Sequence, residues 1–191
     1  MKLAALSSFL LLLASISIAQ PHALKDEIAW SSPSQLTMDD FRKESPGRKT
    51  NFKTGKRSYK QLEGFIYCGI NFSYESVGSN ISYSVIAFMV PDQSWIRDKE
   101  NPETLLHEQA HFNITEIYAR KLRQKLKEIR STEAAKKAYK KCFGELKKMQ
   151  DKFDADHEGE SGLSPKWMKQ IEMDLEKLSA YSNDKVSQRN D

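Results

Sequence analysis

Leu105-Leu106-His107-Glu108-Gln109-Ala110-His111-Phe112 is the stretch that decides how this chain is read. It contains His-Glu-x-x-His. On an α-helix, side chains four residues apart lie on one face, about one turn apart. Two imidazoles so placed can grip a single metal ion from one side. Glu108 follows the first histidine and can reach a water beside that metal. Two nitrogen ligands, a general base and an open coordination position are the parts of a zinc hydrolase. His107 and His111 are therefore the expected zinc ligands, and Glu108 the expected catalytic base.

The flanking residues put the motif on a helix. Asn101-Pro102-Glu103 offers an N-cap, a proline at the first helical position and an acid in the first turn. The spacing predicts a helix from there to about residue 129. Its apolar stripe is Leu106, Ala110, Ile114, Ile117 and Leu122. Ser131 or Thr132 caps a second helix running to about residue 153. There Ala135, Ala138, Cys142, Leu146, Met149 and Phe153 recur at three- and four-residue steps. Ser164-Pro165 opens a third helix, with Trp167, Ile171, Leu175 and Leu178 on one side.

Catalytic zinc usually takes three protein ligands and a water. The second helix returns antiparallel to the first over a nearly equal length. Residues near 154–158 thus come back to the level of the two histidines. Asp154, Asp156, His157 and Glu158 are the third-ligand candidates. His157 leads on ligand type. Asp154 is the alternative, as a ligand or as a carboxylate orienting a ligand imidazole from outside. His22 lies in a stretch without periodic signals. Glu116 is turned well round the helix from His111 and pairs better with Arg120. Tyr118 and Tyr139 are the tyrosines that could donate to an oxyanion.

Upstream, residues 64–74 are rich in aromatic and branched side chains, and residues 81–90 form a second strand-like run. Ile81, Tyr83 and Val85 share one face. The two runs are expected to pair as an antiparallel hairpin, and the edge at residues 81–90 offers main-chain groups to an extended peptide. Strands followed by helices predict an α+β fold. The expectation is a small antiparallel sheet on about three helices, with zinc in the cleft between sheet and motif helix.

At the N-terminus, Met1-Lys2 precedes an apolar run ending in Ser17-Ile18-Ala19, the pattern of a cleaved signal peptide. The run is shorter than the roughly 20 residues a membrane span needs. The expected organisation is a signal peptide over 1–19, one domain over 20–180 and a polar, frayed tail over 181–191. The destination is periplasmic or extracellular, with no transmembrane anchor in the mature chain. An exported chain with two cysteines is expected to pair them, which predicts a Cys68–Cys142 disulfide. The 191 residues carry a formal net charge of +4. The lysines between Arg120 and Lys152 alternate with acids at helical spacing, the pattern of a solvated face rather than a nucleic-acid site.

The stretch His107-Glu108-Gln109-Ala110-His111-Phe112-Asn113-Ile114, with Glu116 and Ala119-Arg120, resembles the core signature of the bacterial domain-of-unknown-function family nine-twenty-two. Trp30-Ser31, Leu36-Thr37-Met38-Asp39-Asp40-Phe41, Ser94-Trp95 and Met149-Gln150-Asp151-Lys152-Phe153-Asp154 are similar to its flanking pieces. Members are commonly labelled as secreted zinc-dependent proteases. The family pattern has a histidine six residues beyond the aromatic, where this chain has Gly159; His157 comes four beyond Phe153. The resemblance implies a zinc peptidase acting on a peptide or protein substrate. The alternative is a non-catalytic envelope protein that keeps a metal site for structure or binding.

Overall fold

The computed structural model describes residues 27–31, 35–43, 62–77, 80–157, 164–182 and 185–188. The expected signal peptide, His22, and Glu158 lie outside the described residues. The strands are β1 (Ile28–Ala29), β2 (Gly64–Phe65), β3 (Cys68–Val77), β4 (Asn80–Met89), β5 (Trp95–Ile96) and β6 (Lys185–Gln188). The helices are α1 (Pro102–Leu126), α2 (Thr132–Asp156) and α3 (Pro165–Lys177). The class is α+β, as the order of the signals predicts.

β3 and β4 pair antiparallel over their full ten-residue lengths, with Ile70 opposite Ala87 and Phe72 opposite Val85. Period-two alternation turns Ile70, Tyr83, Val85, Ala87 and Met89 to one face, where all are buried. β4 is the central strand. β3 covers one edge; β1 and β6 share the other. The expected peptide-binding edge at residues 81–90 is therefore closed. The expected frayed tail is also corrected: residues 185–188 pair with Ser84 to Ile81, and Val186 is buried opposite Tyr83. A single apolar residue in a polar tail suffices, because β4 has main-chain groups free to pair on that side.

α1 starts as its cap predicts. Asn101 Oδ1 accepts from the Glu103 N–H at 3.0 Å. The helix lies between the sheet and the pair α2/α3, and a helix covered on most sides is buried on most sides. The expected stripe is corrected in one place. Leu106 is exposed, while Ala110, Phe112, Ile114, Ile117, Ala119, Leu122 and Leu126 are buried. Buried charge on this helix is paired. Glu116 Oε1 accepts from Arg120 Nε at 2.9 Å and Arg123 Nη1 at 2.8 Å. Arg123 also donates to Val85 O of the sheet and Tyr181 O beyond α3. Removing one partner from such a cluster costs about 3–5 kcal/mol.

Polar residues on another side of α1 anchor the opening of the chain. Trp30 Nε1 donates to Asn113 Oδ1 at 2.9 Å, and the Leu36 N–H donates to Gln109 Oε1 at 2.7 Å. The Arg120 guanidinium lies over the Trp30 ring. These contacts hold the segment around Trp30 and Leu36 against α1.

The expected disulfide is not formed. Cys68 and Cys142 are free thiols. Cys68 Sγ lies 3.2 Å from Thr115 Oγ1, and Cys142 Sγ donates to Tyr118 O at 3.3 Å. The reason is level along α2. Cys68 sits beside Gln150, with Gln150 Nε2 4.0 Å from its sulfur. Gln150 is eight residues past Cys142, about 12 Å along a helix, whereas a disulfide needs Cα atoms within about 7 Å.

Candidate functional site

The α1–α2 hairpin brings three donor atoms together. His107 Nε2 and His111 Nε2 are 3.1 Å apart. Asp154 Oδ1 lies 2.8 Å from His111 Nε2 and 3.3 Å from His107 Nε2. Among the described residues, His107, His111 and Asp154 form a group able to hold a metal ion. A tetrahedral ion with bonds of about 2.0–2.1 Å sets its ligand atoms about 3.3–3.4 Å apart. The observed edges equal that or fall short of it by up to about half an ångström. The donor set fits zinc: two imidazole nitrogens and one carboxylate oxygen. The side chains of His107 and Asp154 are 25% and 29% exposed against 11% for His111, so the group opens to solvent on the His107–Asp154 side.

Asp154 takes the place expected for His157, which is a correction. His157 is buried at the C-terminal end of α2. Its Nδ1 bonds to Phe153 O at 2.7 Å, and its Nε2 accepts from the Ser164 N–H at 3.1 Å. Both ring nitrogens are engaged, Nδ1 within the last turn of α2 and Nε2 with the start of α3. The His157 ring stays near the site, with its centroid 5.5 Å from that of His107, but Phe153 O and the Ser164 N–H take its two nitrogens, whereas Asp154 Oδ1 is turned to both imidazoles. The site also lies between α1 and α2, not in the expected cleft between sheet and motif helix.

Electrostatics follow from burial and proximity. For Asp154, burial raises the carboxyl pKa, but the two imidazoles outweigh it and hold it well below the usual carboxylate range. For His111, burial works downwards, yet bonds from Asp154, the charge of Glu108 and the contact with Gln150 bring it up to about 9. His107 is lowered, by burial first, with Asp154 opposing and His111 adding to the effect.

Glu108 is buried and faces β2, and its carboxylate meets the N–H of Ile66 just beyond that strand. Burial pushes its pKa up to about 7; the His111 charge and that backbone bond pull downwards, and Asp154 pushes up. Gly64 makes the approach possible. A Cβ at position 64 would fall 2.7 Å from Glu108 Oε1 and 2.7 Å from Thr104 Cγ2. Phe153, fully buried, packs on both imidazoles, with ring centroids 4.8 Å from each.

The candidate oxyanion donors are elsewhere. Tyr139 donates to Ile70 O at the edge of β3. Tyr118 is seven residues past His111, about 10 Å along α1, under the Lys121 ammonium. Two residues that the chemistry of the sequence did not single out belong here. Gln150 bonds His111 Nδ1 through Oε1, and Thr115 bonds the His111 carbonyl at 2.9 Å. The available signal was spacing: Gln150 precedes Asp154 by four residues, as His107 precedes His111.

Residues 93–162, from the end of the sheet through α1 and α2, match the family model described as "Bacterial protein of unknown function (DUF922)". No curated protein and no solved structure matches the chain. Over that segment, which contains all three donor residues and Glu108, the chain is similar to a bacterial family of unknown function.

Proposed function

We propose that the protein is an exported zinc-dependent peptidase, with His107, His111 and Asp154 as ligands and Glu108 as general base. The observation that carries the reading is the convergence of His107 Nε2, His111 Nε2 and Asp154 Oδ1 within 3.3 Å of one another on two helices. Zinc held there supplies a Lewis acid that polarises a carbonyl and acidifies water. Glu108 takes the proton of the attacking water on its carboxylate and delivers it to the leaving amine nitrogen. In the metal-free chain burial raises the Glu108 carboxyl to about 7, and a zinc ion held beside it would bring it back down toward the ionised base the step needs. Phe153 keeps water from the closed side of the imidazoles, and the exposed flank of His107 and Asp154 is the side from which a substrate enters. No helix of the described residues is long and apolar enough to cross a membrane.

The test is the purified chain against a mixed peptide library, with zinc content measured beside it. An enzyme cleaves peptides when loaded with zinc; its Glu108→Gln variant keeps one zinc per chain and loses turnover by about 100-fold or more. A zinc-loaded chain with no peptide cleavage sinks the peptidase reading and leaves a metal-binding envelope protein. A chain that takes up no zinc sinks the metal centre itself.

A further inference from the structure

We infer that Gln150, held by Thr115 and Cys68, fixes the tautomer of His111 and thereby aims its Nε2 lone pair at the metal. The inference rests on the metal centre proposed above and assigns a positioning residue to it.

The argument is a count of hydrogens. Thr115 Oγ1 donates its one hydrogen to His111 O at 2.9 Å. To its other neighbours Thr115 Oγ1 is therefore an acceptor. Gln150 Nε2 donates to it at 3.1 Å, and the Cys68 thiol, 3.2 Å away, donates from the other side. Gln150 Nε2 also donates to His111 O at 3.0 Å. Both amide hydrogens are thus used on acceptors. Turning the amide over would set its oxygen against the His111 carbonyl, acceptor against acceptor. Gln150 Oε1 is consequently the atom that meets His111 Nδ1. An amide oxygen only accepts, so Nδ1 carries hydrogen.

A neutral imidazole protonated on Nδ1 has its lone pair on Nε2. In His111 that nitrogen faces His107 Nε2 and Asp154 Oδ1, where the ion would sit. The hydrogen that metal binding displaces is the one shared between Nε2 and Asp154; the hydrogen on Nδ1 stays. Gln150 and Asp154 stand one turn apart on α2, opposite His111 and His107 one turn apart on α1. One helix face so provides the third ligand and the group that orients the second.

The experiment uses the full chain, with zinc affinity read by competition against a chelator and the His111 ring nitrogens read by long-range proton–nitrogen NMR. Gln150→Met removes the acceptor and keeps the length. It is expected to weaken zinc binding about 10- to 100-fold and, in the metal-free chain above about pH 9 where the ring is neutral, to move the His111 hydrogen from Nδ1 to Nε2. Gln150→Glu keeps an acceptor for Nδ1 but sets its second oxygen against His111 O; it is expected to lose less affinity than Gln150→Met and to keep the hydrogen on Nδ1. Thr115→Val takes away one of the two acceptors that hold the amide and is expected to lower zinc affinity several-fold; it carries the test should the methionine variant fail to fold, and unchanged affinity in it would overturn the assignment. Wild-type affinity with the Nδ1–H intact in Gln150→Met, or equal losses in the methionine and glutamate variants, would overturn the assignment. A wild-type chain that binds no zinc overturns the metal centre too, and is recognised before any variant is compared.

Discussion

Gly64 lies directly against the carboxylate of Glu108: a methyl group on its α-carbon would stand 2.7 Å from Oε1. Strand and helix approach so closely there that a hydrogen is the largest side chain the contact admits. Gly64→Ala must push either β2 or Glu108 aside. Overpacking of this kind costs about 1–3 kcal/mol. The variant is expected to melt earlier and to lose peptide hydrolysis while still taking up one zinc, because Glu108 is not a ligand. Denaturant unfolding and zinc titration on one preparation check both halves. Unchanged stability would mean that the strand yields freely.

Asp154 and His157 have opposite roles, and substitution separates them. Asp154→Ala removes a donor atom and should abolish stoichiometric zinc binding. His157→Ala should keep the zinc but destabilise the fold by about 1–3 kcal/mol, since it strands Phe153 O and the Ser164 N–H. Elemental analysis beside urea unfolding reads both. Zinc lost in His157→Ala and kept in Asp154→Ala would restore the histidine as the ligand.

The pH dependence follows from His111. Its folded pKa of about 9 lies above the unfolded value near 6.5. The stability it gives the metal-free protein is full below about pH 6.5 and disappears as the pH rises through about 9. Zinc competes with that proton. Apparent zinc affinity should therefore climb close to tenfold per pH unit between about 7 and 9, then level off. Chelator competition at a series of pH values measures the slope; a flat profile would show that no such proton is displaced.

Cys68 and Cys142 should count as two free thiols in unfolded protein without reductant. Burial pushes both thiols up to about 12, so neither is nucleophilic at neutral pH. A thiol reagent should modify the folded chain slowly and the unfolded chain at once. Reductant should leave the melting temperature unchanged. A mass two hydrogens light, restored by reduction, would reinstate the bridge.

Local rules carried much of this architecture because the deciding interactions are local. Asn101 caps α1 as its position before Pro102 suggests, and the β3–β4 hairpin follows from alternation. The α1–α2 hairpin was legible too, since equal legs return the chain to the level of His107. The choice between Asp154 and His157 was not, because ligand preference by residue type favours histidine, while the bonds that engage the His157 ring nitrogens, to Phe153 O and the Ser164 N–H, are visible only in the folded chain. The cysteines misled for a similar reason. A rule about compartment says nothing about level along α2, where Cys68 meets Gln150 rather than Cys142. Gln150 stayed hidden because an uncharged amide carries no chemistry until its neighbours show which way it must face.

The α1–α2 hairpin is joined by chain at one end only, through residues 127–131. His107 and Asp154 stand at the other, where nothing covalent holds the arms together. An ion bound between them is a clasp on an open pair of tongs. Loading would set how easily the arms part, and so how readily the chain itself becomes food for neighbouring proteases.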